Sequence, residues 1–563
     1  MDSPISPLQT HGWPSDSTHF SPSPPPHPDP LPSYWLQNFS SILTHAGMDA
    51  ELPQEADVVV IGSGLTGTCL VDELVRLLTA EEGGQTEGRT VKVVVLEART
   101  FCSGATGRNG GHLTAYPIAH FADISSAHGI DEARRAIRLE EEAIKWVVET
   151  CEKEGWSEWV DLRKDAGTLA MFDNPDEIAA IEASLTLAAK AGEDTSTVRW
   201  VSSAEARQQY GAETKKGLFV PGNTLYPLKF VTGLFRRAQK RAEEAGVKAE
   251  QEGKEKPVEV ELFTHCLADK VVEGAAGEGG RGRWVVKTAR GDIKATHVVH
   301  ATNGYASHVL PSLNAPDSPH SRILPTRAQM LALHPTSSSS SPDWTPAFSP
   351  SSPPDPPQSS NHPKGVNAYF FQRSYSAAGR GRGEILLGGE REKAEGWEWG
   401  VADDASVNEV VGGKLKEAME RLFPSKFGKG MDGLEAVMEW TGIMGYRSEG
   451  NPMVGPVFID GQRQEGQWIS AGYSGHGMPR APLCGHLLAS LIHHPLRQTT
   501  STVAHPFTLP AWFPRHLLTT FDGKGRGDTR LAEEGDAGAK RREKGWVWVR
   551  DASGRAEKGA ANL

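Results

Sequence analysis

The sequence predicts an α/β fold built around a Rossmann-type, dinucleotide-binding lobe. Three observations predict it. The apolar run 58–61 passes directly into Gly62-x-Gly64-x-x-Gly67. An amphipathic stretch follows, to about Leu78. A second apolar run then closes on an acid, Glu97. Strand, glycine turn, helix, strand and acid, in that order, are what half of a Rossmann sheet needs to hold FAD or NAD.

Each residue has a physical task in that reading. Gly62 allows the sharp turn out of the strand. Gly64 has no side chain to keep a diphosphate from the backbone, and Gly67 lets the helix pack close to the strand. The free N–H groups and the dipole at the helix start, near Leu65, Thr66 and Gly67, suit negative charge. Glu97 is expected to accept hydrogen bonds from the adenosine ribose hydroxyls and to repel a 2′-phosphate. It lies 30 residues past Gly67, against about 20 in the usual fingerprint. The excess fits the polar stretch 81–90, which reads as a loop.

The 563 residues suffice for two or three domains. The net charge of -12 weighs against nucleic acid or an anionic membrane as the main partner. The five cysteines (Cys69, Cys102, Cys151, Cys266, Cys484) are scattered, with no CxxC, which suits a reducing compartment rather than a disulfide scaffold. His493 and His494 have no third ligand at useful spacing, so no metal is expected. No apolar run has the length of a membrane span. The N-terminus lacks the basic start and apolar stretch of a signal peptide.

Residues 1–54 read as a disordered arm, richest in Pro, Ser and His up to about residue 33. The aromatic segment 33–39 (SYWLQNF) is expected to dock on the body as a tether. The Ser- and Pro-dense stretch 336–361 reads as a disordered insert, and 249–256 and 274–283 as loops. The C-terminal extension 496–563 is expected to be mobile after 523. Between these, periodicity predicts helices over 131–153, 176–191 and 230–245, and strands over 166–172, 258–263, 284–288, 297–301 and 383–390. The valine run at 297–301 ends in a small-residue turn, so the backbone at Ala301 is expected to pass a cofactor. The strand 467–471, the turn Gly472-Tyr-Ser-Gly-His-Gly477 and a helix over 482–492 repeat the opening logic and aim a second helix dipole at negative charge.

These pieces recur in order in one known family. The opening glycine motif, Ser103-Gly-Ala-Thr-Gly-Arg-Asn-Gly-Gly-His112, Pro325-Thr-Arg-Ala-Gln329, the strand ending Gly388-Gly389-Glu390, and Gly472-Tyr-Ser-Gly-His-Gly477 together resemble the D-amino-acid-oxidase-like (DAO) superfamily of FAD-dependent oxidoreductases. The likeness runs over roughly residues 33–494. It is nearest to the gamma-glutamylputrescine-oxidoreductase-like branch, which has fungal members.

The resemblance implies two lobes: an FAD lobe from 55–118, 215–320 and 437–495, and an antiparallel-sheet substrate lobe from 119–214 and 321–436. It implies that Gly62, Gly64, Thr66 and Gly67 hold the diphosphate, and that Glu97, Ala98 and Arg99 line the adenosine side. Ser103, Gly104, Thr106, Arg108, Asn109, Gly110 and Gly111 would wrap the ribityl chain and the isoalloxazine edge. Ala301 would lie along the cofactor. Gly472, Gly475, His476, Gly477 and Met478 would lie along the pyrimidine ring. Sarcosine-oxidase-type relatives anchor flavin through a cysteine before the C-terminal motif; 440–447 contains none, so non-covalent FAD is expected. Those relatives also place a lysine just after the GHG turn and another on the strand at 385–387, where this chain has Pro479 and apolar residues. Oxidase and dehydrogenase therefore both stay open.

The implied reaction is oxidation of a C–N bond in an amine or amino acid by hydride transfer to flavin N5, giving an imine. The expected acceptor is O2, with H2O2 as product, or else another electron acceptor. The amine must react neutral, which for an alkylamine at pH 7 costs roughly 4.6 kcal/mol. A desolvated pocket lowers that cost. His112 either faces the active site or supports a loop. His476 either lines the flavin or caps a turn. Arg447 either clamps a substrate carboxylate or pairs with Glu449. Tyr446 either covers the substrate or is a core tyrosine. A non-catalytic, FAD-stabilised protein is the alternative to an enzyme. A flavin hydroxylase lacks support, since its Gly-Asp motif before the last helix is missing. A cytoplasmic location is expected, with a peroxisomal one as the alternative through Ala561-Asn562-Leu563.

Overall fold

Branched side chains fill both faces of a buried parallel sheet, and the valine runs form one here. The computed structural model describes residues 13–14, 20–80, 89–164, 166–275, 282–314, 322–336, 347–351, 366–374, 383–427, 432–496 and 507–519. Strand Glu55–Ile61 is central, pairing in parallel with Val91–Leu96 on one side and Gly291–His300 on the other. Val258–Phe263 extends the sheet beyond Val91–Leu96, and Gln462–Ala471 extends it beyond Gly291–His300. Met453–Ile459 closes that edge antiparallel. Trp284–Thr288 and Ala268–Glu273 complete an eight-stranded sheet.

Helices Leu65–Leu78, Pro227–Gln251 and Ala481–Leu496 bury apolar residues in one core with this sheet. Close backbone approach sets their positions. Gly62 turns with φ +110°, and a Cβ there would lie 2.7 Å from the Ala301 carbonyl oxygen. A Cβ on Gly67 would lie 2.1 Å from the Gly62 carbonyl oxygen. The first turn of the Leu65–Leu78 helix is therefore pressed against the strand end by glycine alone.

A second eight-stranded sheet is mostly antiparallel. Its order is Leu434–Tyr446, Leu324–Pro335, Ile385–Gly389, Ala368–Gln372, Ala347–Ser351, Thr168–Phe172, Lys216–Val220 and Arg199–Ser202. Helix Glu409–Leu422 packs on it. The α/β class with a Rossmann-type sheet and a separate antiparallel sheet is thus observed.

Several local expectations change. Strand Lys216–Val220 pairs with Thr168–Phe172 in the second sheet, although the boundary at 215 assigned it to the FAD lobe. Strand Leu434–Tyr446 pairs along its length with Leu324–Pro335, so the boundary at 437 cuts through a second-sheet strand. Both strands lead from the second sheet back toward the first, and sequence pattern does not mark which sheet such a strand pairs in. Within the expected insert 336–361, Ala347–Ser351 pairs with Thr168–Phe172; the rest of that stretch from 337 lies outside the described residues. Helix Pro227–Gln251 runs into the start of the expected loop 249–256. The arm is not disordered over 20–54. Its backbone is pinned by Ser23 N donating to Ser307 Oγ and Leu31 N donating to the Asp404 carbonyl oxygen. The segment 33–39 forms helix Tyr34–Asn38 with Tyr34 and Trp35 buried. Residues 81–88, the tail after 519 and the Ala561-Asn562-Leu563 terminus lie outside the described residues.

Gly485 sets the spacing of two helices that carry the site. A Cβ there would lie 2.8 Å from the Thr66 carbonyl oxygen and 3.0 Å from Leu70 N. Alanine gains about 1 kcal/mol of helix propensity, but overpacking against backbone costs about 1–3 kcal/mol. Gly485→Ala is expected to lose about 1 kcal/mol net in urea unfolding; an unchanged or higher midpoint would contradict this packing.

Candidate functional site

The turns at the strand ends line a cavity of about 570 Å³. Its walls include Gly62, Gly64, Leu65 and Thr66 from the opening turn; Glu97, Ala98 and Arg99 from the second strand end; and Gly104, Thr106, Arg108, Asn109, Gly110, Gly111 and His112 from the next loop. Ala301, Tyr446, Gly475, His476, Gly477 and Met478 line it as well. Segments far apart in sequence are thus brought to one space, as the residues predicted.

The glycine turn is locked from its sides. Leu65 N donates to Thr106 Oγ1 at 3.1 Å, and Thr66 Oγ1 donates to the Tyr473 hydroxyl at 3.0 Å. Glu97 Oε2 accepts from Ser63 Oγ at 2.7 Å, and its Oε1 accepts from Arg99 N at 3.1 Å. A Cβ on Gly104 would meet nothing within 4 Å, so that wall is bare backbone facing open space. Thr302 Oγ1, also in the wall, is buried with no hydrogen-bond partner among the described residues. A bare-backbone cradle at a helix N-terminus, with an acid beside it and an unpaired hydroxyl along it, fits a dinucleotide.

Four predicted residues do not line the cavity. Gly67 sits beneath the turn, Ser103 is covered, and Gly472 and Arg447 lie behind the wall. Arg447 is the main correction. Side chains alternate along extended backbone, so with Tyr446 facing the cavity Arg447 turns away. Its Cδ lies 2.8 Å from where a Gly472 Cβ would sit. Its guanidinium donates to the Asn451 carbonyl oxygen at 2.9 Å and pairs with Glu449 at 3.5 Å. Arg99 and Arg108 line the cavity but have other duties. Arg99 Nη1 donates to both Asp404 carboxylate oxygens at 3.0 and 2.9 Å, and Arg108 donates to the Ser103 and Thr441 carbonyl oxygens.

Another part of the wall is aromatic and charged. His112 packs edge-on against Tyr369 and Phe371, with both ring nitrogens buried. Burial lowers its pKa to about 4, so the ring is neutral at neutral pH. Tyr446 is buried, with the Arg391 guanidinium 4.7 Å from its ring centre and 4.3 Å from that of Trp399.

His476 Nε2 lies 2.9 Å from Glu140 Oε2, and Arg480 Nε donates to Glu140 Oε1 at 2.7 Å. Tyr116 N also donates to Glu140. Burial pushes the Glu140 carboxyl up, but His476 and Arg480 outweigh it and hold it at about 2. Sequence reasoning missed Glu140, Arg391, Arg480 and Tyr369. Glu140 carried a readable signal: it falls on the apolar stripe of helix Ile130–Lys153, in step with Ile137, Ala143 and Val147. Among the described residues no cluster of three His, Cys, Asp or Glu could hold a metal ion, and no helix is long and apolar enough to cross a membrane.

The family model described as FAD dependent oxidoreductase (DAO) matches residues 57–491. Glycine oxidase from Geobacillus kaustophilus is similar in structure, with 17% sequence identity, TM-score 0.55, 78% of this chain covered and 95% of that one. L-proline dehydrogenase from P. horikoshii gives 18% identity, TM-score 0.54, and 78% and 94% coverage. L-amino acid deaminase from Proteus vulgaris gives 17%, 0.53, and 80% and 93%. No curated protein matches the chain.

Breaking the Glu140 hub is expected to be costly, because removing one partner leaves buried charge uncompensated. Glu140→Gln should lose about 3–5 kcal/mol in urea at pH 7. The folded carboxyl sits below its usual value of 4.5, so its contribution is whole above that pH and is lost as pH falls toward about 2. The stability gap between wild type and variant should therefore narrow on acidification, and a constant gap would contradict the ionised hub.

Proposed function

The chain belongs to the FAD-dependent oxidoreductase (DAO) family, and from that premise we propose that it oxidises the C–N bond of an amine or amino acid. FAD is the cofactor, and when bound it supplies a ring that accepts a hydride. The observation that carries the reading is a single cavity lined both by a dinucleotide cradle and by aromatic, partly apolar residues. The solved relatives, a glycine oxidase, a proline dehydrogenase and an amino acid deaminase, support amine-bearing substrates. The 440–447 strand end has no cysteine, which supports non-covalent binding.

In this reading Gly62, Gly64 and Thr66 present backbone to the diphosphate, and Glu97 meets the ribose. Arg99 and Arg108 shape the loop at 99–108 rather than contact the cofactor, because their guanidinium groups are committed to Asp404 and to carbonyls. His112, Tyr369 and Tyr446 exclude water from the reacting carbon. A dry wall with a neutral His112 disfavours an ammonium ion, so the substrate is held in the neutral form that can release hydride. The amine leaves as an imine, which water hydrolyses to a carbonyl compound and ammonia or a smaller amine. His476, oriented by Glu140, lies at the turn after the Gln462–Ala471 strand. Arg391 takes the carboxylate-clamping role that the sequence had suggested for Arg447, since it lines the cavity and its guanidinium lies over the ring of Tyr446.

We assign O2 as acceptor, with H2O2 as product. A second reading, a dehydrogenase with another acceptor, is favoured by Pro479 and the apolar 385–387 strand where relatives carry lysines. A cytoplasmic location accompanies the first assignment, with the peroxisome as alternative.

Anaerobic mixing of the FAD-loaded protein with a panel of amines and amino acids should bleach the visible flavin band, and admitted air should restore it with release of peroxide. Flavin that no amine reduces would sink the reading; recolouring only with an artificial acceptor would favour the dehydrogenase. For a carboxylate-bearing substrate, Arg391→Gln should raise KM about 10- to 100-fold, the loss of one charge-assisted contact. An unchanged KM would remove Arg391 from the site.

A further inference from the structure

The segment 20–33 carries a proline at nearly every second position. Proline holds φ near −65° and favours an extended chain without internal hydrogen bonds. Such a chain is stiff before it docks, loses little entropy on docking, and keeps its backbone groups free for partners. Here those partners are found. Ser23 N donates to Ser307 Oγ at 2.9 Å, Arg99 Nη1 donates to the His27 carbonyl oxygen at 3.2 Å, and Leu31 N donates to the Asp404 carbonyl oxygen at 2.9 Å. Pro26 between them lines the cavity, as do Glu97, Arg99 and Cys266.

His308, which follows the Ser307 that Ser23 engages, lines the same cavity. Its Nε2 is buried with no hydrogen-bond partner among the described residues, while its ring also meets the Ser23 backbone. An unpaired buried ring nitrogen on a cavity wall costs free energy unless something else binds it.

Further along, the arm braces the next stretch of wall. Ser33 Oγ donates to the Gly107 carbonyl oxygen at 2.5 Å, and Trp35 Nε1 donates to the Asn109 carbonyl oxygen at 2.6 Å. The Trp35 ring lies 3.2 Å from where a Gly111 Cβ would sit. The arm itself precedes residue 57, where the family match begins, and its partners lie within the matched region.

We propose that the N-terminal arm is a working part of the FAD site: residues 20–33 wall the adenosine end, His308 Nε2 contacts the adenine ring, and Ser33 and Trp35 hold the 107–111 backbone against the flavin. The arm is then a cofactor-retaining strap that lies before the residues matched by the family model. The inference rests on FAD being the cofactor and is independent of the substrate.

FMN lacks the adenosine half and makes the decisive control. Affinities for FAD and FMN would be measured by flavin fluorescence on apoprotein, for wild type, for a chain lacking residues 1–32, and for full-length His308→Ala. Truncation and His308→Ala should each weaken FAD about tenfold or more while leaving FMN within about twofold. Unchanged FAD affinity in both variants, or equal losses for FAD and FMN, would overturn the adenosine role. If truncation prevents folding, His308→Ala in the intact chain decides alone. FAD uptake by wild type is read in the same titration, so a failure of the cofactor assignment is distinguished from a failure of the arm. Ser33→Ala and Trp35→Phe remove one donor each and should weaken FAD and FMN alike, since they act on the flavin half; no change in either flavin would remove that half of the proposal.

Discussion

The buried carboxylate of Asp404 is the constraint on which the arrangement of the cavity depends. It accepts from Arg99, lies 3.4 Å from the Arg108 guanidinium, and its own backbone carbonyl receives Leu31 of the arm. A carboxylate only 1% exposed among two cations is stable because the charges are mutually satisfied. Three segments distant in sequence therefore meet at one side chain: the arm, the loop at 99–108 and the loop leading into helix Glu409–Leu422. Burial pushes the Arg108 pKa down to about 10, which still leaves it charged at neutral pH. Removing the carboxylate would strand two buried guanidinium groups and loosen the cavity loop at 99–108 at once.

Glu140 plays the same part for the turn at 472–477. It comes from helix Ile130–Lys153 and ties His476 and Arg480, at the start of helix Ala481–Leu496, to that helix. Each glycine-bearing loop that lines the cavity is thus held by a carboxylate from elsewhere in the fold. The economy is physical. Glycine loops that must expose bare backbone to a ligand cannot anchor themselves with their own side chains, so neighbouring elements supply the anchors. The proline-rich arm adds an outer wall, stiff enough to dock without large entropy loss.

Much of this was legible in the residues. Val58 to Glu97 announced a strand, turn, helix and strand, because two-sided burial demands continuous apolar runs and close backbone approach demands glycine. The 472–477 turn was legible for the same reason. Of the two roles left open for Arg447, the pair with Glu449 is the one found; the choice was not legible, since one residue of strand alternation decides which side of a wall a side chain occupies, and the end of strand Leu434–Tyr446 is not marked in the sequence. Arg99 and Arg108 line the cavity where the motif places them, but their partner, Asp404, lies some 300 residues away and leaves no local trace. The arm looked disordered because proline and serine dominate it, yet composition reports only that a segment has little core of its own, not whether another surface pins it.

The amino-acid sequence by itself determined the nucleotide-binding class of the first sheet, the positions of its glycine turns and the acid at Glu97. These are local matters, set by side-chain size, backbone freedom and periodicity within a few residues. Tertiary structure alone decided which charges meet: Asp404 with Arg99 and Arg108, Glu140 with His476 and Arg480, Arg391 rather than Arg447 at the cavity wall. Electrostatic pairing depends on distance in space and on shared burial, and neither quantity is written in the order of residues along the chain.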